Sequence, residues 1–433
     1  MSRLRIVEAT SREGERLLQR LAGRAAEVLD ARTRAGAAKL VEAVRRGGDK
    51  ALLRAVARHD RVRVRRVAEL RLAGEAIEPS SSLLPSAFAE ALERALAAVE
   101  RFHRPQVRDG YRLEEGGMVL EHRRTPLRRV GIYVPGGRAA YPSTLLMTVV
   151  PARLAGVEQI VVATPRRSWE GSAALRYTLQ RLGVEEAWGI GGAHAIAALA
   201  HGTETIAAVD KIVGPGNAWV AAAKHLVAGT VAVDGLAGPT EVVVLASGDA
   251  PADLVAADLL AQAEHDPRAA ALLVTPSKDL AKAVRAAVAR QLAALPTAAV
   301  AGAALHDFGA ALLVDDLEAG AAVVDRIAPE HLQLVGAEAE ALAARPFPAG
   351  AVFVGASTPE VFGDYVAGPS HVLPTCGTAR FASALGVDDF VRRSHLVRCP
   401  PNLAGHWAAA AVVWAEAEGL PAHAEAARRR LGS

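Results

Sequence analysis

A short apolar run, a glycine turn and an alanine-rich amphipathic stretch recur along the middle of the chain, and this pattern restricts the fold more than any other feature. Residues 129–134 end at Pro135-Gly136-Gly137, with a helical stretch over 142–155 and the next strand over 159–163. Residues 187–192 pass through Gly189-Ile190-Gly191-Gly192 into a helix over 193–200, and 211–216 pass through Gly214-Pro215-Gly216-Asn217 into a helix over 217–227. Strands alternating with helices of this length predict parallel sheets with crossover helices, an α/β fold. After Pro239 the pattern starts again, with strands at 241–246 and 270–275 and helices at 251–265 and 279–295. Further strands are expected near 310–314 and 351–354, so the chain reads as two α/β units. Residues 1–105 read as helical, from the spacing of Leu17, Leu18, Leu21, Ala25 and Val28 and again over 87–99. These amino-terminal helices are expected to pack with the second unit. The tail from Asp388 also reads as helical, with Gly419 and Pro421 marking one helix end and the next start.

Composition narrows what such a chain does. At 433 residues and 51% hydrophobic, it has material for two or three domains with large cores. Its arginine runs, at 61–66 and 428–430, lack interleaved aromatics in a sequence only 4% aromatic, so they read as solvated faces rather than a nucleic-acid surface. Cys376 and Cys399, the two cysteines, cannot make a disulfide framework or a cysteine zinc site. Residues 1–18 contain no signal-like apolar run, and charges break the longest apolar stretches, so the expectation is a soluble, cytoplasmic protein.

The glycine turns stand where backbone amides and a helix dipole can hold an anion. None matches the dinucleotide fingerprint: His194 and Trp219 occupy the third position, and no acidic residue stands at the expected distance. They read equally well as tight strand–helix turns. Metal-binding chemistry is better supported. Gln262 and His265 share a helix face at i and i+3, although a lone histidine at a helix end is more often a cap. Glu330 and His331 follow a proline, and Asp364 and His371 lie on what should be a loop, the usual seat of chemistry on a rigid sheet. Four donors drawn from Gln, His and Asp would make an N/O site suited to zinc, with manganese or cobalt as alternatives.

Five segments then carry a resemblance: Ala237-Gly-Pro-Thr-Glu241, Asp258-Leu-Leu-Ala-Gln-Ala-Glu-His265, Ile327-Ala-Pro-Glu-His-Leu332, Gly363-Asp-Tyr-Val-Ala-Gly-Pro-Ser-His-Val-Leu-Pro374 and Gly377-Thr-Ala-Arg-Phe381. Together they resemble the histidinol dehydrogenase family over about residues 20–430. The resemblance implies a homodimer of chains with two nucleotide-binding-like, doubly wound parallel-sheet domains and helical terminal arms. The expected division is an arm over 1–27, a first α/β domain of 28–107 and 241–385 with the metal and catalytic residues, a second over 108–240 on the NAD side, and an arm over 386–433 at the dimer contact. The resemblance further implies one zinc per subunit on Gln262, His265, Asp364 and, from the partner subunit, His423. Glu330 and His331 fall on the acid/base pair. Thr240, His371 and Glu418 fall on substrate positions, beside Gln262, His265, His331, Asp364 and His423. Tyr133, His194 and Asn217 fall on NAD positions.

The activity so implied is a two-step oxidation of L-histidinol through L-histidinal to L-histidine, the last step of histidine biosynthesis. The alternatives are a related zinc dehydrogenase of another amino alcohol or polyol, and a non-catalytic zinc-binding paralogue. His194 stands where the family pattern carries glutamine. A neutral imidazole can still donate one hydrogen bond and accept one, which suits NAD. Cys376 stands where a serine or other small residue is common. No neighbouring histidine or lysine activates it as a nucleophile.

Overall fold

The fold is described by a computed structural model covering residues 4–24, 30–72, 84–137, 140–235 and 237–431. Its largest sheet is six-stranded and wholly parallel, in the order Arg5–Glu8, Ala310–Leu313, Ala270–Thr275, Glu241–Ala246, His331–Val335, Ala351–Val354. The central runs, EVVVLA and AALLVT, are apolar almost throughout and buried at every position, as strands covered on both faces must be. Alternation divides them between two cores. Val242 and Val244 meet helices Ala252–Ala263, Lys278–Leu292 and Ala298–Phe308, whereas Val243 and Leu245 meet Arg12–Ala22 and Leu317–Ile327.

A second parallel sheet has five strands, ordered Glu186–Trp188, Gln159–Ala163, Arg129–Tyr133, Lys211–Val213, Ala232–Val233. It too has helices on both faces, with Val161 and Ile212 in one core and Val130, Ile132, Val162 and Val213 in the other. A third, antiparallel sheet joins Val391–Arg398, Met118–Pro126 and Tyr111–Glu115.

The α/β class and the doubly wound sheets agree with the sequence reading, but three assignments are corrected. Residues 5–8 are a strand, paired in register with 310–313, so the described part of 1–27 is not all helical. Helix Ala31–Ala55 packs through Ala37, Val41 and Val44 against the five-stranded sheet, and Ser86–His103 does so through Leu92, Ala95 and Val99. These two helices of 28–107 thus pack on the five-stranded sheet. The tail is not all helical either: 391–398 is a strand, and only then come helices Pro401–Ala417 and Pro421–Arg428. Ala25 and Val28, cited for the first helix, lie outside the described residues.

Candidate active site

The expected metal and acid/base residues meet at the amino-terminal edge of the six-stranded sheet. Glu241 and His331 begin adjacent strands, with His331 in register with Val242. The helix Ala252–Ala263 runs back against the strands and delivers Gln262 and then His265 to the same edge. Helix Glu360–Tyr365 contacts it and carries Asp364, which is therefore helical rather than on a loop.

Glu330 and His331 are both buried and both tied to Glu241. The backbone N–H of Glu241 donates to Glu330 Oε2 at 3.1 Å, and its carbonyl lies 3.1 Å from His331 Nδ1. An Nδ1–H donated to that carbonyl leaves the His331 Nε2 lone pair available as a base. Burial pushes the His331 imidazole below its ordinary range and the Glu330 carboxyl up to about 7, the latter opposed by the Thr240 hydroxyl and the Glu241 N–H. Both groups are shifted toward their neutral forms, as desolvation requires.

The Thr240 hydroxyl sits between Glu330 Oε2 and the Gln262 amide oxygen. The other end of that amide, its nitrogen, lies 2.7 and 2.8 Å from the two oxygens of Glu360, which is fully buried. Burial holds the Glu360 carboxyl well above the carboxylate range, with Asp364, Glu330 and Asp258 adding repulsion. Asp258, one turn before Gln262, is raised to about 6 by burial. His265 is exposed, with Nδ1 3.0 Å from the Ala261 carbonyl; His371 Nδ1 lies 3.0 Å from the Asp364 carbonyl. The Asp364 carboxylate and the His265 imidazole both act electrostatically on Glu330, His331 and His371, so these five side chains share one neighbourhood.

Behind them, Arg24 and Glu241 form an ion pair at 3.3 Å, each side chain 2% exposed, and the Cys376 N–H donates to Glu241 Oε2 at 3.2 Å. Burial pushes the Cys376 thiol up to about 12, so it stays a thiol and is no nucleophile.

Other expected residues lie elsewhere. Glu418 and His423 are exposed on the carboxy-terminal helices. Among the described residues no three His, Cys, Asp or Glu side chains close on one metal position within the chain. Tyr133, His194 and Asn217 stand at the carboxyl ends of the five-stranded sheet. The Tyr133 hydroxyl accepts from Gly192 N at 2.9 Å; His194 Nε2 is 3.0 Å from Asp60 Oδ2, which also accepts from Gly191 N at 3.2 Å. Asn217 caps helix Ala218–Val227, accepting from Trp219 N at 3.0 Å and Val220 N at 3.2 Å. Tyr133 and His194 are buried, whereas Asn217 is exposed.

Sequence reasoning missed Glu241, Glu360, Arg24 and Asp60. Glu360 carried a signal, an acid one helical turn before Asp364, that is visible only once 360–365 is read as a helix. Among the described residues no helix is long and apolar enough to cross a membrane.

Known proteins share the sequence and fold of this chain. Residues 24–431 match the histidinol dehydrogenase family model. The chain is 47% identical over 363 residues to histidinol dehydrogenase of Agrobacterium fabrum, covering 84% of each chain, and 44% identical over 372 residues to that of Acinetobacter baylyi, covering 86% of each. The crystal structure of histidinol dehydrogenase from Elizabethkingia anophelis superposes with a TM-score of 0.82 at 33% identity, over 92% of this chain and 91% of that one. These likenesses support a histidinol oxidoreductase over the polyol and non-catalytic alternatives: the chain belongs to the histidinol dehydrogenase family.

Proposed function

We propose that the chain oxidises L-histidinol through L-histidinal to L-histidine in two steps, using NAD and one zinc ion per subunit. Gln262, His265 and Asp364 would hold the metal together with His423 of the partner subunit. The donor chemistry fits. His265 Nδ1 is engaged by a carbonyl, which leaves Nε2 as the ligand atom, the usual arrangement of a metal-bound imidazole. A glutamine oxygen, a carboxylate and two imidazoles make a set suited to zinc. Asp258, Glu330 and Asp364 all act on Glu360, a cluster of acids whose ionised forms a dication would favour.

Zinc would supply the charge that orients the substrate's nitrogens, and NAD would take up the hydride in each half. The chain's own groups move the protons. His331 Nε2 takes the hydroxyl proton as the alcohol becomes the aldehyde. As Glu330 takes a proton from the water that hydrates the aldehyde, His331 returns its own to the aldehyde oxygen, and it takes one again as the hydrate becomes the acid. In the metal-free chain burial raises Glu330 to about 7, and a carboxylate so raised is a stronger base than an ordinary one. Thr240, His371 and Glu418 hold the substrate. Asn217, Tyr133 and His194 would serve the NAD site: the Tyr133 hydroxyl and, through Asp60, His194 hold the Gly191-Gly192 turn.

The observation that carries this reading is the pairing of Glu330 and His331 on the two backbone polar groups of Glu241, facing His265 and Asp364. An NAD-reduction assay tests it. L-Histidinol should reduce NAD, a chelator should abolish turnover, and zinc should restore it. The fold should survive chelation, since its cores do not depend on a metal as a zinc finger's does. Full activity in metal-free protein contradicts the reading.

A further inference from the structure

A glutamine side chain ends in two groups of the same shape and opposite character. Only the oxygen has a lone pair to give a metal, because the nitrogen's is delocalised into the amide. A glutamine serving as a ligand therefore needs its amide turned the right way. In this fold Gln262 is fully buried, and one end of its amide lies 2.7 and 2.8 Å from the two oxygens of Glu360; the hydrogen-bond pattern assigns that end as the nitrogen. The amide oxygen then faces the Thr240 hydroxyl and the Glu241 N–H, the latter at 3.2 Å. The reverse orientation sets the amide oxygen against the Glu360 oxygens, a contact that only a protonated Glu360 could satisfy, with a single donor. His331 does not compete for this carboxyl group: its Nδ1 is 3.6 Å from Glu360 Oε2 and is already engaged by the Glu241 carbonyl. Glu360 also sits one helical turn before Asp364 on helix Glu360–Tyr365, so one short element holds a ligand and braces another.

We propose that Glu360 is a positioning residue for the metal site. It anchors the amide nitrogen of Gln262, so the oxygen is the atom offered to the metal, and it thereby sets how firmly zinc is held. This rests on the reading of Gln262 as a ligand.

The test follows zinc release from the loaded protein to a chromogenic chelator, with a melting curve for every variant. Glu360→Leu removes the anchor and should release zinc about 10–100-fold faster than wild type, the usual range for loss of an outer-shell partner. Glu360→Gln keeps an oxygen acceptor at the same reach and should recover most of that loss. In a Gln262→Ala background Glu360→Leu should add little, because the effect runs through the amide. Glu360→Asp, the variant to use if the leucine protein does not fold, withdraws the carboxylate by one methylene and should show the same dependence on Gln262. Wild-type release from folded Glu360→Leu or Glu360→Asp protein overturns the proposal, as do losses that add in full to Gln262→Ala. If Gln262→Ala alone releases zinc at the wild-type rate, Gln262 is no ligand, and both the metal-site reading and this proposal fall.

Discussion

Glu330 and His331 are neighbours in sequence, and burial shifts both toward neutrality, one pKa up and the other down. For Glu330 this has a consequence for stability. A carboxyl whose ordinary pKa of 4.5 rises to about 7 on folding binds its proton more tightly in the folded state. Its stabilising contribution is complete below pH 4.5 and is lost as pH rises through about 7. In metal-free protein, Glu330→Gln should therefore gain up to about 3 kcal/mol at pH 8 relative to its effect at pH 4.5. Equal melting shifts at the two pH values would contradict the burial argument. In catalysis the same variant should slow oxidation of supplied aldehyde by roughly 10²–10⁴-fold and affect the first hydride transfer less, whereas loss of His331 should slow both. Equal losses in both steps for Glu330→Gln would refute that division. Arg24 is the third residue with a measurable role. Arg24→Met strands the buried Glu241 carboxylate and should cost about 3–5 kcal/mol in denaturant unfolding at pH 8. The acid–histidine pair after a proline was legible in the sequence; the Arg24 pair was not, because its members stand 217 residues apart and nothing local links them.

At the scale of elements, the strands that read clearly were those whose pattern is local and apolar, such as 241–246 and 270–275. Residues 5–8 did not, because four residues of mixed character become a strand only through pairing with 310–313. Residues 391–398, rich in arginine and half-exposed, likewise owe their strand to the antiparallel register with 119–126. The metal and acid/base residues were legible, but their location was not. They gather at the amino-terminal edge of a parallel sheet, whereas open α/β sheets usually bind ligands at the carboxyl ends of their strands. Helix Glu360–Tyr365, where a loop was expected, seats close to Phe353 through Gly363. A Cβ at Gly363 would fall 2.6 and 2.7 Å from Phe353 ring atoms. Gly363→Ala should displace Glu360 and Asp364 together, lowering turnover on the order of 10²-fold and speeding zinc release. A second change, Phe353→Leu, should recover part of both. Unchanged zinc release and turnover in Gly363→Ala would mean that this close seating does not position the site.

At the scale of the molecule, one chain brings together seven of the expected site residues: Thr240, Gln262, His265, Glu330, His331, Asp364 and His371. It leaves Glu418 and His423 exposed on a helix pair. The first of those helices carries Trp407, Val413 and Trp414 at 52%, 66% and 71% exposure. The periodicity of one chain gives only terminal helices there; that the arm meets a partner is what the family resemblance implies. In the proposed zinc site, His423 of the partner subunit completes the ligand set, so the active site spans two chains. Mixing two inactive proteins, His265→Ala and His423→Ala, by refolding them together tests it most directly. If His423 serves the metal of the partner subunit, each mixed dimer has one site with both changes and one intact site. About half of randomly assorted dimers are mixed, so about a quarter of wild-type activity should return. If His423 acts within its own chain, every site lacks a ligand, and the mixture should stay as inactive as its parts.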